Sequence, residues 1–305
     1  MAGSQYITVA QLYNAPLGID LKSVVSPQAA KPGSQVLGQQ LYEELAQIVL
    51  RACAMIDNYC QQVLRATTDV EEKWTGASSH AGIDQNGYLW VKPNYWPVRS
   101  VSVFQYGYPA IGGTSWTVPT LSDILIQSNL LIYPSWLDRR NTPPVRVQYT
   151  YTNGWPTTLL TASMLAAATA MPVSDATGIL ASAVLTIHDA GNTEDVTVAS
   201  SWVATTGAAS VTLAVGTTFA HTITARPTTG VSQPYDILVS ALPAEVQQAA
   251  LLICKELVES RGATSLVMGR IGGIGRGGEP KGASAETEKM PVEAQYLLET
   301  YRRVV

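Results

Sequence analysis

The stretch Leu242 to Gly262, LPAEVQQAALLICKELVESRG, constrains the chain most, because its two ends are signalled as clearly as its interior. Pro243 suits a first helical position, where its missing N–H would have no partner anyway. Glu245 lies near the positive end of the helix dipole, and Gly262 is placed to close the far end. Between them Val246, Ala249, Ala250, Ile253 and Leu257 recur every three or four residues, with Glu245, Gln248, Glu256 and Glu259 mostly on the other side. The spacing predicts a helix with one buried face. Ala249 and Ala250 would let a second helix approach closely, and Cys254 beside them reads as a small core hydrophobe rather than a nucleophile.

A partner helix is predicted from Ser34 to about Leu64, where Leu41, Leu45, Ile48, Val49, Ala52, Met55, Ile56, Tyr59 and Val63 form one apolar stripe. Ahead of it, Thr8 followed by Gln11 has the spacing of a capping box and predicts a short helix that Pro16 and Gly18 must stop. Residues 20 to 33, with Pro27, Pro32 and Gly33, read as a loop. Cys53, Cys60 and Cys254 are odd in number and lack CxxC spacing, which argues against a disulfide framework or a zinc site and for assembly in a reducing cytosol.

Beyond Leu64 the period shortens from helical to alternating. Segments 69 to 74, 87 to 92, 98 to 106, 124 to 133 and 144 to 151 carry β-branched and aromatic residues bounded by Gly, Pro, Asn or Asp, and predict a small, mainly antiparallel β element. Val145, Val147 and Tyr149 against Arg146, Gln148 and Thr150 is the clearest alternation. The region is dense in aromatics, for which two uses stay open: core and edge packing, or anchoring of a protein partner, with Tyr95, Trp96, Tyr106 and Tyr108 the candidates for the second. After Asn153-Gly154-Trp155-Pro156 the composition shifts. Residues 157 to about 233 are Ala, Thr, Ser, Val and Gly with hardly a Lys or Arg, and short strands such as 184 to 187, 196 to 198 and 211 to 213 alternate with turns at 175 to 178 and 190 to 192. This predicts a separate β module inserted into a surface loop.

Chemistry is sparse. A formal net charge of −4, with Lys and Arg dispersed, gives no basis for sequence-specific nucleic-acid binding. No apolar run approaches the ~18 residues of a membrane span, and no signal peptide opens the chain. GxSxG, P-loop and Rossmann fingerprints are absent, so neither an enzyme nor a cofactor is expected. His188, Asp189, Glu194, Asp195 and His221 could be imagined as a metal or acid–base cluster, but no ligand spacing supports it and Asp189 to Asn192 has turn composition. Residues 269 to 278, GRIGGIGRGG, could cradle phosphate only with a strand before and a helix after; without them they read as a flexible arm. A short amphipathic helix beginning at Pro291 ends the chain as a natural docking peptide.

In this order, YITVAQL, the helix ending DNYCQQVL, YLWVKPNYWPVRSVSVFQYG, VRVQYTYTNGW, LPAEVQQAALLICKELVESRG and MPVEAQYLLETYRRV resemble the head-to-tail connector, or adaptor, proteins of tailed bacteriophages, over about 6 to 156 and 236 to 305. The resemblance implies an α+β fold with a helical connector core and a small antiparallel β element (residues 1–156 and 236–262) and a C-terminal arm ending in a short helix (263–305), to which the composition adds an inserted all-β module (157–235) and the flexibility of the arm. It implies a ring, typically twelvefold, beneath the portal in the virion neck, assembled in the host cytoplasm. Partners would be further copies of itself, the portal protein and a tail-side neck protein, with genomic DNA as non-specific cargo through the channel and no membrane. Matching the family's final motif, Leu297, Leu298, Tyr301, Arg302 and Arg303 would form the portal-docking arm. The insert and the glycine-rich linker depart from the family pattern. An adhesin-like or carbohydrate-binding virion protein using the β insert is the alternative, and a metal-dependent hydrolase through His188 and His221 a third.

Overall fold

Thr8 opens the fold as its sequence requires. Its hydroxyl accepts from the Gln11 amide at 3.1 Å while the Gln11 side chain accepts from the Thr8 amide at 2.8 Å, and this closed capping box starts α1 (Val9–Asn14). The structure is a computed structural model that describes residues 5–18, 21, 36–76, 80–110, 113–137, 143–189, 191–223, 237–260 and 290–303. The loop residues Pro27, Pro32 and Gly33, the helix-closing Gly262 and the glycine-rich stretch 269 to 282 lie outside the described residues.

Three further helices, α2 (Val36–Cys60), α3 (Ala244–Ser260) and α4 (Val292–Leu298), join α1 around one core. Ile48, Ala52 and Ile56 of α2 meet Ala249, Ile253 and Leu257 of α3 there, and Ala294 and Leu298 of α4 close it. The α3 stripe read from the sequence is its buried face, with the paired alanines wholly covered; of the α2 stripe Leu45, Ile48, Val49, Ala52 and Ile56 are buried and Met55 and Tyr59 half-buried, Val63 lies past the helix end and is exposed, and the Leu41 side chain lies outside the described residues. Pro291 caps α4 rather than occupying its first turn.

The middle of the chain is β1 (Thr67–Trp74), β2 (Ala81–Ile83), β3 (Leu89–Val91), β4 (Val98–Ala110), β5 (Gly113–Thr117), β6 (Leu125–Gln127), β7 (Leu130–Tyr133) and β8 (Arg146–Asn153). These form two antiparallel sheets, ordered β1-β8-β4-β5 and β2-β3-β7-β6, which share a second core of Leu89, Val91, Phe104, Leu131, Val147 and Tyr149. Every second residue of β8, from Val147 through Tyr149 and Tyr151 to Asn153, points inward, which is the alternation the sequence displayed. Segment 124 to 133, expected as one strand, is a hairpin. Ser128 and Asn129 both adopt positive φ, 49° and 64°, and turn the chain back in two residues.

The inserted region is β9 (Thr157–Leu159), β10 (Ala170–Val173), β11 (Val184–His188), β12 (Glu194–Thr197), β13 (Ala209–Thr212) and β14 (Leu238–Ser240). One antiparallel sheet runs β12-β11-β14-β9, a ribbon pairs β10 with β13, and Met171, Leu185, Ile187, Val196, Val211 and Val239 form a third core. The sheet therefore closes with residues 238 to 240, immediately before α3.

The expected fold class does not hold. Among the described residues the chain is mostly β, with fourteen strands in four antiparallel sheets, so neither a helical core nor a small β element describes it. The helices form one of three cores. Short strands such as β2, β5, β9 and β10 bury few residues each and leave little period, yet pairing satisfies their backbones and adds up to most of the molecule.

Candidate functional site

The C-terminal end of α2 is where helices, sheet and chain terminus meet. Gln61, at φ 55°, breaks the helix, and its amide and that of Gln62 fold back onto the Asn58 and Asp57 carbonyls at 3.4 and 3.2 Å. Gln62 is thereby carried into the interior, where Nε2 donates to the Tyr301 carbonyl at 3.0 Å and Oε1 accepts from the Trp96 amide at 3.2 Å. One buried amide thus ties α2 to the turn before β4 and to the tail after α4. The Arg303 amide donates to the Cys60 carbonyl at 2.9 Å and satisfies one of the carbonyls left at the helix end.

Around this knot lies a lattice of rings and guanidinium groups. Tyr301 meets Trp155 edge-on at 5.5 Å, and Trp96 meets the same indole at 6.4 Å. Arg303 sits 5.2 Å over Tyr95, Arg302 5.6 Å over Tyr59, and Arg99 5.9 Å over Trp155. The Tyr59 hydroxyl donates to Glu299 at 2.7 Å, and this bond to a carboxylate raises its pKa above the phenol range. Burial does the same for Tyr301, whose hydroxyl reaches Glu245 at 3.3 Å, and it lowers the Arg99 pKa.

The residues carried over from the family motif are therefore placed as follows. Leu298 is fully buried and Leu297 half-buried in the helical core, Tyr301 leans on Trp155, and Arg302 and Arg303 cover Tyr59 and Tyr95 of the same chain. The candidate partner-facing aromatics are engaged as well. Tyr95 and Trp96 belong to this lattice, and Tyr106 and Tyr108 pack on the two-sheet core, Tyr106 with its ring 5.6 Å from Tyr133. Among the described residues the most exposed large aromatics are others: Trp136 at 76% and Tyr296 at 78%, ahead of Tyr13 and Phe219. Tyr296 lies with Val292 on the exposed side of α4, and only the helical period of 292 to 298 would have singled it out.

Beside the lattice opens a cleft of about 400 Å³, lined by Asp57, Asn58, Gln61, Asp69, Tyr95 and Asn153. Two carboxylates and the negative end of α2 give it a preference for cations and disfavour phosphate. Asp57 accepts from the Tyr6 hydroxyl, and Asp69 from Asn153 at 2.7 Å and from Thr67 at 2.9 Å, so both acids also hold the scaffold.

The acid–base cluster imagined in the module comes together in part. The His221 imidazole is fully buried, with Nδ1 3.1 Å from Asp189 and Nε2 2.8 Å from Glu194. With a carboxylate on each nitrogen, neither is turned toward an open coordination position. Glu194 also accepts the Thr218 and Phe219 amides at 2.7 and 3.1 Å, and these bonds hold its pKa down against the opposing effect of burial. His188 turns elsewhere, to Ser240 at 3.1 Å and Gln247 at 3.0 Å, where burial lowers its pKa, and Asp195 accepts from Thr186. Among the described residues no group of three His, Cys, Asp or Glu is placed to hold a metal ion. His221 fastens the 217 to 221 strap to the β11–β12 hairpin, and His188 fastens the module to α3. Compared with known proteins, the chain matches no family model, no curated protein and no solved structure.

Proposed function

We propose that this chain is a virion structural protein, a head-to-tail connector whose copies form a ring beneath the portal of a tailed bacteriophage, extend the DNA channel and join capsid to tail. The observation that carries the reading is how the matching segments are assembled. YITVAQL, the helix ending DNYC, LPAEVQQAALLICKELVES and MPVEAQYLLETYRR are scattered over the chain yet share one core, YLWVKPNYWPVRSVSVFQYG and VRVQYTYTNGW pair in the two-sheet core, and the unmatched module keeps a core of its own. A ring subunit needs such a body, assembled from its whole length, with additions held outside it.

Charge fits the same role. A net charge of −4 makes the surface a poor host for phosphate, which suits a wall past which DNA must slide. The portal protein and a tail-side neck protein are the partners above and below, and DNA is cargo. Ring closure joins copies head to tail, each presenting two different complementary surfaces. The test is electron microscopy of the purified chain, alone and with portal, together with antibody labelling of intact particles. Rings with a central hole wide enough for duplex DNA, and label confined to the neck, are the expected results. A monomer under both conditions, or label elsewhere on the particle, overturns the proposal.

A further inference from the structure

We propose that Lys73 and Asn94 are joined by an intramolecular amide bond, formed when the lysine Nζ displaces ammonia from the asparagine side chain while Glu71 moves the protons. The inference is independent of the connector reading. It starts from β1, whose alternation is inverted. Val70 and Trp74 face solvent, 65% and 36% exposed, while Asp69, Glu71 and Lys73 turn inward, opposite the wholly buried Tyr151, Tyr149 and Val147 of β8. Turning three ionisable side chains inward while a valine and a tryptophan face water forgoes apolar burial, and charges taken out of water cost the fold even when they are paired. Such an arrangement calls for a use beyond packing.

Lys73 Nζ donates to Asn94 Oδ1 at 2.7 Å and lies 3.1 Å from Glu71 Oε2, and the lysine and glutamate side chains are only 13% and 8% exposed. Their surroundings fix all three residues. Both Glu71 oxygens accept from the Asn94 backbone amide, at 2.9 and 3.2 Å, and the carboxylate also accepts from the Tyr149 hydroxyl at 3.0 Å and from the Tyr151 hydroxyl. Amine, amide and carboxylate are thus held in contact and largely out of water, the condition under which an intramolecular reaction gains most from proximity. The ammonium polarises the carbonyl whose carbon it is placed to attack, and desolvation is what makes a lysine amine a usable nucleophile.

The reaction needs no oxidant and no further reactant. Glu71 takes one proton from the Lys73 ammonium, and the freed electron pair of Nζ forms a bond to Asn94 Cγ while the carbonyl π pair moves onto Oδ1. A second proton passes from Nζ through Glu71 to Nδ2, the Oδ1 pair returns, the Cγ–Nδ2 bond breaks, and ammonia departs with the first proton as ammonium. One ammonium and one primary amide become one secondary amide and one ammonium ion, so atoms and charge balance. The product ties β1, the end strand of its sheet, to the segment between β3 and β4 that carries Tyr95 and Trp96 into the ring lattice.

The test is mass spectrometry of the full chain, folded and incubated at neutral pH, then digested with trypsin. Trypsin cuts neither after an acylated lysine nor at Lys92-Pro93, so residues 66 to 99 are expected as one peptide, lighter than their sequence by one ammonia and yielding no backbone fragments between 73 and 94. Lys73→Arg keeps a positive charge but supplies no amine nucleophile, and is expected to give 66–73 and 74–99 at full mass. Asn94→Ala and Glu71→Gln are expected to be cut after Lys73 as well, with circular dichroism confirming that each variant is folded. A folded wild-type chain cut freely after Lys73, with both peptides at full mass, overturns the proposal. So does an ammonia deficit that stays on 74–99 in Lys73→Arg, because Asn94 would then have cyclised onto its own backbone. A cross-link that forms unimpaired in Glu71→Gln removes the carboxylate from the reaction.

Discussion

Glu71 joins the β sheet to its surroundings through a single carboxylate. It accepts from the Tyr149 hydroxyl at 3.0 Å, the Tyr151 hydroxyl, the Asn94 amide at 2.9 Å and Lys73 at 3.1 Å, and its side chain is 8% exposed. Glu71→Gln removes the charge that Lys73 faces and offers an amide donor where only acceptors are wanted. It is expected to cost about 2–4 kcal/mol in urea unfolding; a loss below about 1 kcal/mol would mean that the network relaxes around the amide. The same burial sets an alkaline limit. Burial first, and then the Glu71 carboxylate, raise the Tyr149 and Tyr151 pKa values above the phenol range, and burial pushes the Cys53 and Cys60 thiols up to about 12. Unfolded thiols and phenols titrate near ~8.5 and ~10, so above those values the unfolded chain has released protons that the folded chain still holds. Stability is therefore complete below about pH 8.5 and falls as pH rises, with each group contributing up to about 1.4 kcal/mol per pH unit inside its window. Urea midpoints should be level up to about pH 8.5 and decline from there to about pH 11, and a flat profile over that upper range contradicts the assignment.

Legibility at the scale of the element followed how much backbone each element commits to one period. The capping box at Thr8 and Gln11, the buried stripes of α2 and α3 and the alternation of β8 are all read directly off spacing. β2, β5 and β14 are too short to set a period, and β14 stayed hidden because Leu238 to Ser240 runs straight into the helix signal at Leu242. The orientation of α4 was legible in part. Its period predicted an amphipathic helix, but no spacing says whether the apolar side meets the chain's own core or a partner, and Leu298 chose the core. The hinge after β8 has a sharper local cause. Gly154 lies at φ 79°, and a Cβ there would fall 2.6 Å from the Arg65 carbonyl oxygen and 2.8 Å from that of Leu64. Gly154→Ala combines a left-handed backbone with a backbone clash and is expected to lose about 2–4 kcal/mol, read as a lower thermal midpoint. Gly191→Ala, also left-handed at φ 88° but with open space around its Cβ, should lose only the conformational part, about 1 kcal/mol. Equal losses at the two sites would rule out the clash.

For the whole molecule, the decisive relation is that the inserted module enters and leaves by neighbouring strands. Thr157 of β9 pairs with Ser240 of β14, so the chain departs from the body and returns to it at one place. Cross-strand Cα atoms in an antiparallel ladder lie about 5 Å apart, a gap that one tight turn closes. Removing residues 159 to 238 and joining the cut ends through a two-residue Asn-Gly turn should therefore leave the helical layer and the two-sheet core folded. The losses would be bounded and nameable: the Arg65–Asp175 ion pair, the His188 contact with Gln247 and the cover over Ala66 that Gly178 provides. The ion pair is about a quarter exposed on each side, so solvent screening leaves it a small share of the total. The shortened protein is expected to unfold cooperatively, with its far-ultraviolet helix signal per molecule unchanged. The converse piece, residues 157 to 240 alone, carries its own core of Leu185, Ile187, Val196, Val211 and Val239 and should also fold. A shortened chain without a cooperative transition would mean that the third core holds the other two together, and the division of the molecule into a body and an appended module would have to be abandoned.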